Sequence, residues 1–217
     1  FDTIVLTEPT EVVAVTDIVS DYNGQDISCF GGDDGSVSVN ASGGTGTNYT
    51  YLWDANANNQ TTAQADNLSA GTYEVVVQDE DGCADTADIT ISEPTPLNIN
   101  TLPVSDYNGS AISCNGADDG AIGAIASGAT SHYEYIWETN FTGLSDSVAT
   151  DLAAGTYVVS VTDVNGCTDT ATIVLEEPDS VTVALTGIDL LCFEDNSGEI
   201  TAVPAGGTPG FTYNWSS

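Results

Sequence analysis

The sequence repeats itself, and this repetition limits the possible folds more than any other feature. The segment LSAGTYEVVV at 68–77 returns as LAAGTYVVSV at 152–161, and Trp53 returns as Trp137. The offset between the two copies is 84 residues in both cases. A fixed offset indicates that one structural unit recurs along the chain, and we therefore expect a tandem array of similar domains.

Glu-Pro dipeptides mark the places where one copy ends and the next begins. We expect a tail of a preceding repeat at 1–9, a first repeat at 10–94, a second repeat at 95–178 and a truncated third repeat at 179–217. This division overrides the general expectation of one or two domains for 217 residues.

Apolar and polar side chains alternate within each repeat, which predicts β-strands and no helix. Tyr49, Tyr51 and Trp53 fall on one face of such a strand, and Phe211, Tyr213 and Trp215 repeat the pattern. We expect these aromatic faces to be buried, the alternative being an exposed binding stripe.

The spacing of Leu68, Gly71 and Tyr73 is typical of a tyrosine corner, in which a Tyr near the start of strand F bonds back across the E–F corner. Together with a Trp on strand C, this spacing predicts the fold class. It is all-β, with tandem immunoglobulin-like Greek-key β-sandwich repeats of about 84 residues and about seven strands each.

The charge of the chain excludes several kinds of partner. It contains 33 Asp and Glu residues, one His and no Lys or Arg, giving a formal net charge of −33 at pH 7. Nucleic acids and anionic lipids need Lys or Arg to displace their counterions, so we expect neither as a partner. Direct membrane insertion is also not expected, because no run of 18 apolar residues occurs.

The same charge attracts divalent cations, and we expect Ca²⁺ as a cofactor and no organic cofactor. Carboxylate and amide oxygens in Gly-containing turns are suitable ligands for this ion. The candidates are Asp33, Asp34, Asp79, Asp81, Glu93, Asp118, Asp119, Asp163 and Asn165. The alternative is that they are solvated turn residues, since Asp, Asn and Gly are common in tight turns.

Five cysteines at repeating positions, with no CxxC pair, favour disulfides and an oxidising, extracellular setting. Pairing within repeats would join Cys29 to Cys83 and Cys114 to Cys167. The predicted fold places Cys29 at the end of strand A and Cys83 at the far end of the sandwich, roughly 20 Å away, whereas a disulfide allows only about 7 Å. This favours Cys29 with Cys167 across the junction of two repeats, although the pairing within repeats stays open. With pairing within repeats, Cys192 would have its partner outside this sequence; with pairing across the junction, Cys83 and Cys114 would.

The chain offers little that resembles an enzyme. His132 is the only histidine, and a Ser-His-Asp or Cys-His arrangement would have to use it. No nucleophile motif accompanies it, so we interpret it as a polar residue of a loop or strand edge. We expect a protein without catalytic residues.

The segments CFGGDDGSVSVNASGG at 29–44, YTYLWD at 49–54 and LSAGTYEVVVQDEDGC at 68–83 resemble the SprB repeat, named after a gliding-motility adhesin of Bacteroidetes-type bacteria. The resemblance implies a very large cell-surface protein that is exported by type IX secretion and acts in adhesion and gliding. The implied partners are neighbouring repeats of the same long chain and, through the parent adhesin, external surfaces or glycans.

Two roles fit such a repeat: a stalk segment, and an array whose repeats bind glycans or a surface directly. No distinctive aromatic or polar cluster marks the predicted loop tips, which favours the stalk.

Several short motifs are similar to the Asp-Ser/Thr-aliphatic acceptor for O-glycans of such surface proteins, and four of them are candidate sites. The acceptors would be Thr86 and Thr170, which we prefer, and Ser147 and Ser180. The alternative is that these are ordinary outward-facing strand residues.

Overall fold

A computed structural model describes residue 4 and residues 6–138 and 147–216. Strands dominate these residues, with one short 3₁₀ turn and no α-helix among them. The chain forms two compact units: Phe1–Asn98 with Ser127–Tyr133 and Thr162–Thr168, and Ile99–Ala126 with Glu134–Val161 and Asp169–Ser217. The all-β fold class is confirmed. The repeat boundaries at the Glu-Pro dipeptides stay a prediction, and residues 1–3 and 5 of the predicted tail lie outside the described residues.

The first unit contains an immunoglobulin-like sandwich of two three-stranded antiparallel sheets. One sheet has the order β1-β2-β4 and the other the order β3-β5-β6. The strands are β1 (Thr10–Ile18), β2 (Gly35–Gly44), β3 (Thr50–Trp53), β4 (Gln64–Leu68), β5 (Gly71–Gln78) and β6 (Ala84–Ile91). The chain changes sheet between β2 and β3, between β3 and β4, and between β4 and β5, as expected of a Greek-key sandwich.

The described residues of this sandwich form six strands, whereas the sequence predicts about seven. The connection from β3 to β4 contains a 3₁₀ turn at Ala55–Ala57, and the side chain of Asp54 accepts a hydrogen bond from Ala57 N at 3.2 Å. Asn58 and Asn59 follow in left-handed conformations, with φ of 57° and 53°. The backbone therefore turns where a further strand would have to run straight.

The core lies between the two sheets and follows the predicted alternation. Val37 and Val39 face Trp53, Val75 and Val77, together with Val12, Ile27, Ala57, Ala65, Leu68, Tyr73 and Ile91. Trp53 is fully buried, and its Nε1 donates to Thr62 O at 3.0 Å. The predicted tyrosine corner is present, since Tyr73 Oη donates to Ser69 O at 2.7 Å.

Most of the second repeat's strands lie in the second unit and have the same order in their sheets, β7-β8-β10 and β9-β11-β12. The strands are β7 (Asn98–Pro103), β8 (Gly120–Ser127), β9 (Glu134–Trp137), β10 (Val148–Leu152), β11 (Gly155–Thr162) and β12 (Thr168–Leu175). Trp137, Ile122 and Leu175 are buried, and Tyr157 Oη donates to Ala153 O at 2.8 Å. The second copy thus builds the same core from equivalent residues.

The second unit also contains a two-stranded antiparallel sheet of β13 (Thr182–Ile188) and β14 (Glu199–Ala205). The aromatic side chains that follow it are not buried as the repeat pattern predicts: Phe211 is 36% exposed, Tyr213 54% and Trp215 55%. Residues 206–216 form no strand, so the second sheet that buries Trp53 in the first unit has no counterpart among the described residues here. None of the described segments is a helix of the length and apolarity needed to cross a bilayer.

Candidate functional site

The loop between β1 and β2, residues 19–34, is called here the first cysteine loop because it carries Cys29. The predicted position of Cys29 at the end of strand A is wrong, since β1 ends at Ile18. The repeated DYNG segment forms a turn instead, with Tyr22 N donating to Gln25 O at 2.8 Å. Fully buried Ile27 anchors the loop on the sandwich core.

Hydrogen bonds inside the first cysteine loop fix its shape. Ser20 Oγ donates to Asp26 O at 2.6 Å, and Tyr22 Oη donates to Asp34 O at 3.0 Å. The Asp34 carboxylate accepts from Ser28 N at 3.1 Å. Desolvation by burial raises the pKa of Asp34, but the hydrogen bonds from Ser28 and Tyr22 outweigh it and bring that pKa below its ordinary value. Burial raises the pKa of Tyr22, and the nearby Asp34 carboxylate adds to this effect.

The Glu-Pro dipeptide of the first repeat holds the same loop. Glu93 Oε2 accepts a hydrogen bond from Gly31 N at 2.6 Å, and Pro94 is buried. Gly31 has φ of 75°, a left-handed conformation that favours glycine. The predicted calcium ligand Glu93 thus binds a backbone amide.

The connection between β11 and β12, residues 163–167, is called the second hairpin tip, and it belongs to the first unit. The buried Asp163 carboxylate organises it. Asp163 Oδ1 accepts from Asn165 N at 2.9 Å and from Cys167 N at 2.8 Å, while Oδ2 accepts from Thr130 N at 3.0 Å. These bonds curl the tip into a tight turn and leave the Asn165 side chain free to reach other residues.

Asn165 connects the second hairpin tip to the first cysteine loop. Its Nδ2 donates to Tyr22 O at 3.0 Å and to Thr130 Oγ1 at 3.0 Å, with a longer contact to Ser28 O at 3.4 Å. Its Oδ1 accepts from Asn23 Nδ2 at 2.5 Å. Asn165 was predicted to be a calcium ligand, whereas the structure shows it as a donor to carbonyl oxygens. The contact of Tyr22 and Asn23 with Asn165 was not predicted from the sequence. The feature of the sequence that marks them is the repetition of DYNG, at 21–24 and at 106–109.

A disulfide closes this contact. Cys29 and Cys167 are bonded at an S–S distance of 2.11 Å and a Cα–Cα distance of 5.6 Å, and 138 positions separate them in the sequence. Within the described part of the chain, Cys83, Cys114 and Cys192 are free and exposed. The structure therefore joins the pair that the predicted strand positions favoured, and it does not join Cys29 to Cys83 or Cys114 to Cys167.

The remaining calcium candidates are dispersed over turns. Asp79 accepts from Thr45 N, Asp81 N and Cys83 N, and the bond from Thr45 N is the main reason that the pKa of Asp79 lies below its ordinary value. Hydrogen bonds from Ser113 similarly lower the pKa of Asp119. The candidates with exposed side chains are Asp33, Asp81 and Asp118.

Among the described residues, no group of three or more His, Cys, Asp or Glu side chains is arranged to hold a metal ion. The acidic turns are instead stabilised by their own backbone amides. Calcium binding stays a prediction, and it requires a cation to compete with these internal hydrogen bonds.

The predicted glycan acceptors lie on the surface. Thr86 on β6 and Thr170 on β12 are exposed, and each backbone N–H donates to the preceding Asp at 2.8 Å. Ser147 is exposed, although Asp146 of its motif lies outside the described residues. Ser180 is exposed, and its Oγ donates to Asn115 Oδ1 at 2.6 Å. Glycosylation at these sites stays a prediction.

His132 lies exposed in the connection between β8 and β9, with φ of 81°. One of its ring nitrogens, Nδ1, lies 3.0 Å from Ser131 O. This placement agrees with the interpretation of His132 as a polar loop residue.

Comparison with known protein families gives matches in three parts of the chain. A family model described as the SprB repeat matches residues 22–58, 110–142 and 188–217, which confirms the resemblance stated from the sequence. No curated protein sequence matches the chain significantly.

Solved structures with similar architecture include a C-terminal 282-residue fragment of intimin in complex with the intimin-binding domain of its translocated receptor. It is 15% identical with a TM-score of 0.39, over 82% of this chain and 67% of the fragment. The four N-terminal Ig domains of Dscam1 isoform 6.44 are 13% identical with a TM-score of 0.31, over 79% of this chain. This chain spans 47% of that Dscam1 structure.

Proposed function

We propose that this chain, which carries SprB repeats, is a non-catalytic, force-bearing stalk segment of a large extracellular adhesin at the cell surface. SprB repeats belong to cell-surface proteins, and a disulfide fits an extracellular setting. In this role the repeats carry the adhesive part of the parent protein away from the cell, and they serve surface attachment and gliding. Export by type IX secretion belongs to the same proposal.

The observation that carries the proposal is the disulfide between Cys29 and Cys167. A pull applied to the two ends of the chain passes from Cys29 through the two sulfur atoms to Cys167. Residues 30–166 lie inside this closed loop and do not bear the force. A segment so constructed resists extension even when a core within the loop opens, which is the property that a stalk needs.

The charge of the chain supports the same role. With a net charge of −33 and no Lys or Arg, neighbouring stalks repel each other over about a Debye length, which is roughly 8 Å at physiological ionic strength. Repulsion of this kind keeps dense surface proteins soluble and separate.

Single-molecule stretching of the chain between its two ends tests the proposal. Without reductant, we expect residues 30–166 to add no extension when the chain unfolds, because the disulfide keeps their loop closed. With reductant, those residues should add about 480 Å of extension. Cys83→Ser is the matched control, because it removes an exposed thiol and should leave both traces unchanged. Equal total extension with and without reductant contradicts the proposal.

The alternative, direct glycan binding by the repeats, is tested on a glycan array with the purified chain. Saturable binding of one glycan class would replace the stalk role with a binding role. Absence of binding at micromolar chain concentration supports the stalk.

A further inference from the structure

The second repeat contains a loop with the same construction as the first cysteine loop. This second cysteine loop, residues 104–119, joins β7 to β8 and carries Cys114. Ser105 Oγ donates to Ala111 O at 2.6 Å, where Ser20 Oγ donates to Asp26 O at the same distance. The fully buried residue that anchors it is Ile112, in the position of Ile27.

The two loops also agree in the bonds that shape the surface around the cysteine. Tyr107 Oη donates to Asp119 O at 3.0 Å, and Asp119 Oδ1 accepts from Ser113 N at 3.1 Å. Both distances equal those of the corresponding bonds in the first loop. Gly116 N donates to Glu177, as Gly31 N donates to Glu93. The second loop therefore has the shape of a loop that, in the first unit, binds a hairpin tip.

The surface around Cys114 is open. A cavity beside it is lined by Ser113, Cys114 and Asn115 on one side and by Ser180 and Val181 on the other. Around Cys29, the hairpin residues Gly166, Cys167 and Thr168 line the equivalent cavity with Phe30 and Leu97. In the described residues of the second unit, no hairpin of this kind lines the cavity at Cys114.

We propose that the second cysteine loop is a docking surface for the Asp-x-Asn-Gly-Cys hairpin tip of another repeat, closed by a disulfide between Cys114 and the cysteine of that tip. This deepens the proposed stalk function and rests on it in taking the partner to be a repeat of the same kind. Two thiols lose two electrons and two protons when the bond forms, and a disulfide oxidant such as oxidised glutathione accepts them and becomes two thiols.

The chain carries another hairpin tip of the same kind at residues 79–83, between β5 and β6. It is called the first hairpin tip. Asp79 Oδ1 accepts from Asp81 N at 3.1 Å and from Cys83 N at 2.8 Å, so its backbone is curled like that of the second tip. Cys83 is exposed and free. A second copy of the chain therefore supplies a preformed hairpin of the right shape.

One residue distinguishes the two tips and gives the docking surface its selectivity. The first tip has Asp81 where the second has Asn165. The amide of Asn165 donates to Tyr22 O, and a carboxylate has no hydrogen to donate. At the second cysteine loop the corresponding acceptor is the carbonyl oxygen of Tyr107. An Asn tip should therefore dock on this loop more strongly than an Asp tip.

Two variant chains isolate this contact. The acceptor chain, Cys83→Ser with Cys192→Ser, retains Cys114. The donor chain, Cys114→Ser with Cys192→Ser and Asp81→Asn, retains Cys83 in an Asp-x-Asn-Gly-Cys tip. Both keep the disulfide between Cys29 and Cys167. They are mixed in a glutathione redox buffer at an ionic strength of about 0.5 M, because two chains of charge −33 repel at low salt. Non-reducing peptide mapping distinguishes the Cys114–Cys83 linkage of the mixed dimer from the Cys114–Cys114 and Cys83–Cys83 linkages of the homodimers.

We expect the mixed dimer to exceed both homodimers, and we expect a donor chain that keeps Asp81 to give about tenfold less of it. In the acceptor chain, Asn108→Gly should lower the yield several-fold. Asn108 corresponds to Asn23, which donates to Asn165, and its φ of 55° suits glycine, so the loop keeps its shape. Equal yields from donor chains with and without the Asp81→Asn change, or mixed dimer no more abundant than the homodimers, overturn the proposal. Neither result bears on the stretching test, which depends on Cys29 and Cys167 alone.

Discussion

Asn165 Nδ2 donates a hydrogen bond to the backbone carbonyl oxygen of Tyr22 at 3.0 Å. Asn165→Asp removes this donor and places a carboxylate against carbonyl oxygens, at a cost of about 1–3 kcal/mol. We expect the equilibrium between the reduced cysteines and the Cys29–Cys167 disulfide to shift by about fivefold or more toward the reduced form. A glutathione redox titration measures it. Asp81→Asn, the reverse change at the equivalent exposed position, is the control and should leave the equilibrium unchanged.

Trp53 and Trp215 occupy equivalent positions in the repeat but differ in burial, since Trp53 is fully buried and Trp215 is 55% exposed. Trp53→Ala should destabilise the first unit by about 3–5 kcal/mol, because it leaves a large cavity in the core. Trp215→Ala should change stability by less than about 0.5 kcal/mol. Urea unfolding followed by far-ultraviolet circular dichroism gives both values. Equal effects would show that burial does not distinguish the two sites.

Asp79 makes stability depend on pH. The bond from Thr45 N and the other bonds to its carboxylate hold its folded pKa below the unfolded value of about 3.9. A lowered folded pKa contributes stability above the unfolded pKa, and this contribution is lost as the pH falls through the folded pKa. Asp79→Asn should therefore lower the melting temperature by several degrees at pH 7 and by much less near pH 2.5.

The control for this prediction is Asp33→Asn, since Asp33 is exposed. Its melting temperature should follow that of the unmodified chain across the whole pH range. If the melting temperatures of Asp79→Asn and the unmodified chain differ by the same amount at all pH values, the lowered pKa of Asp79 does not contribute to stability.

The calcium hypothesis predicts a higher melting temperature in millimolar CaCl₂ than in NaCl of equal ionic strength. The match in ionic strength matters because any salt weakens the repulsion within a chain of charge −33. Asp118→Asn changes an exposed candidate and should reduce the calcium effect. Identical melting temperatures in the two salts would refute calcium binding.

The glycan hypothesis predicts added mass on protein purified from its native source. Thr86 and Thr170 are exposed on equivalent strands, so an enzyme that recognises one should modify the other. Thr86→Val and Thr170→Val keep the β-branched side chain that strands favour while removing the hydroxyl group. Each should remove one glycan from the intact mass, and a bare polypeptide mass for the unmodified chain rules the hypothesis out.

The core was predictable from the sequence because buried strand residues alternate with exposed ones over short stretches of sequence. Trp53 and Val75 belong to strands with a period of two, and Tyr73 follows the tyrosine-corner spacing. Phe211, Tyr213 and Trp215 follow the same alternation but are exposed. The alternation predicts which face of a strand is apolar, and it does not predict whether a second sheet covers that face.

The contacts of the first cysteine loop were not predictable in the same way. Asn165 and Tyr22 are 143 positions apart, and their bond joins a side-chain amide to a main-chain carbonyl that any residue type would offer. The charge of the chain predicts cation binding instead, whereas the carboxylates of Asp34 and Asp79 accept from backbone amides. The prediction that Cys29 ends a strand failed because the DYNG segment forms a turn and does not extend strand A.

The separation of 138 positions between Cys29 and Cys167 has a consequence for the order of maturation. A chain that emerges from its N-terminus presents Cys29 long before residue 167 exists. The sandwich from Val12 to Ile91 contains its complete core by then and can fold with the Cys29 thiol still reduced. The first repeat is closed only by a cysteine of its successor, so in an oxidising compartment that the chain enters from its N-terminus, this disulfide forms one repeat behind export.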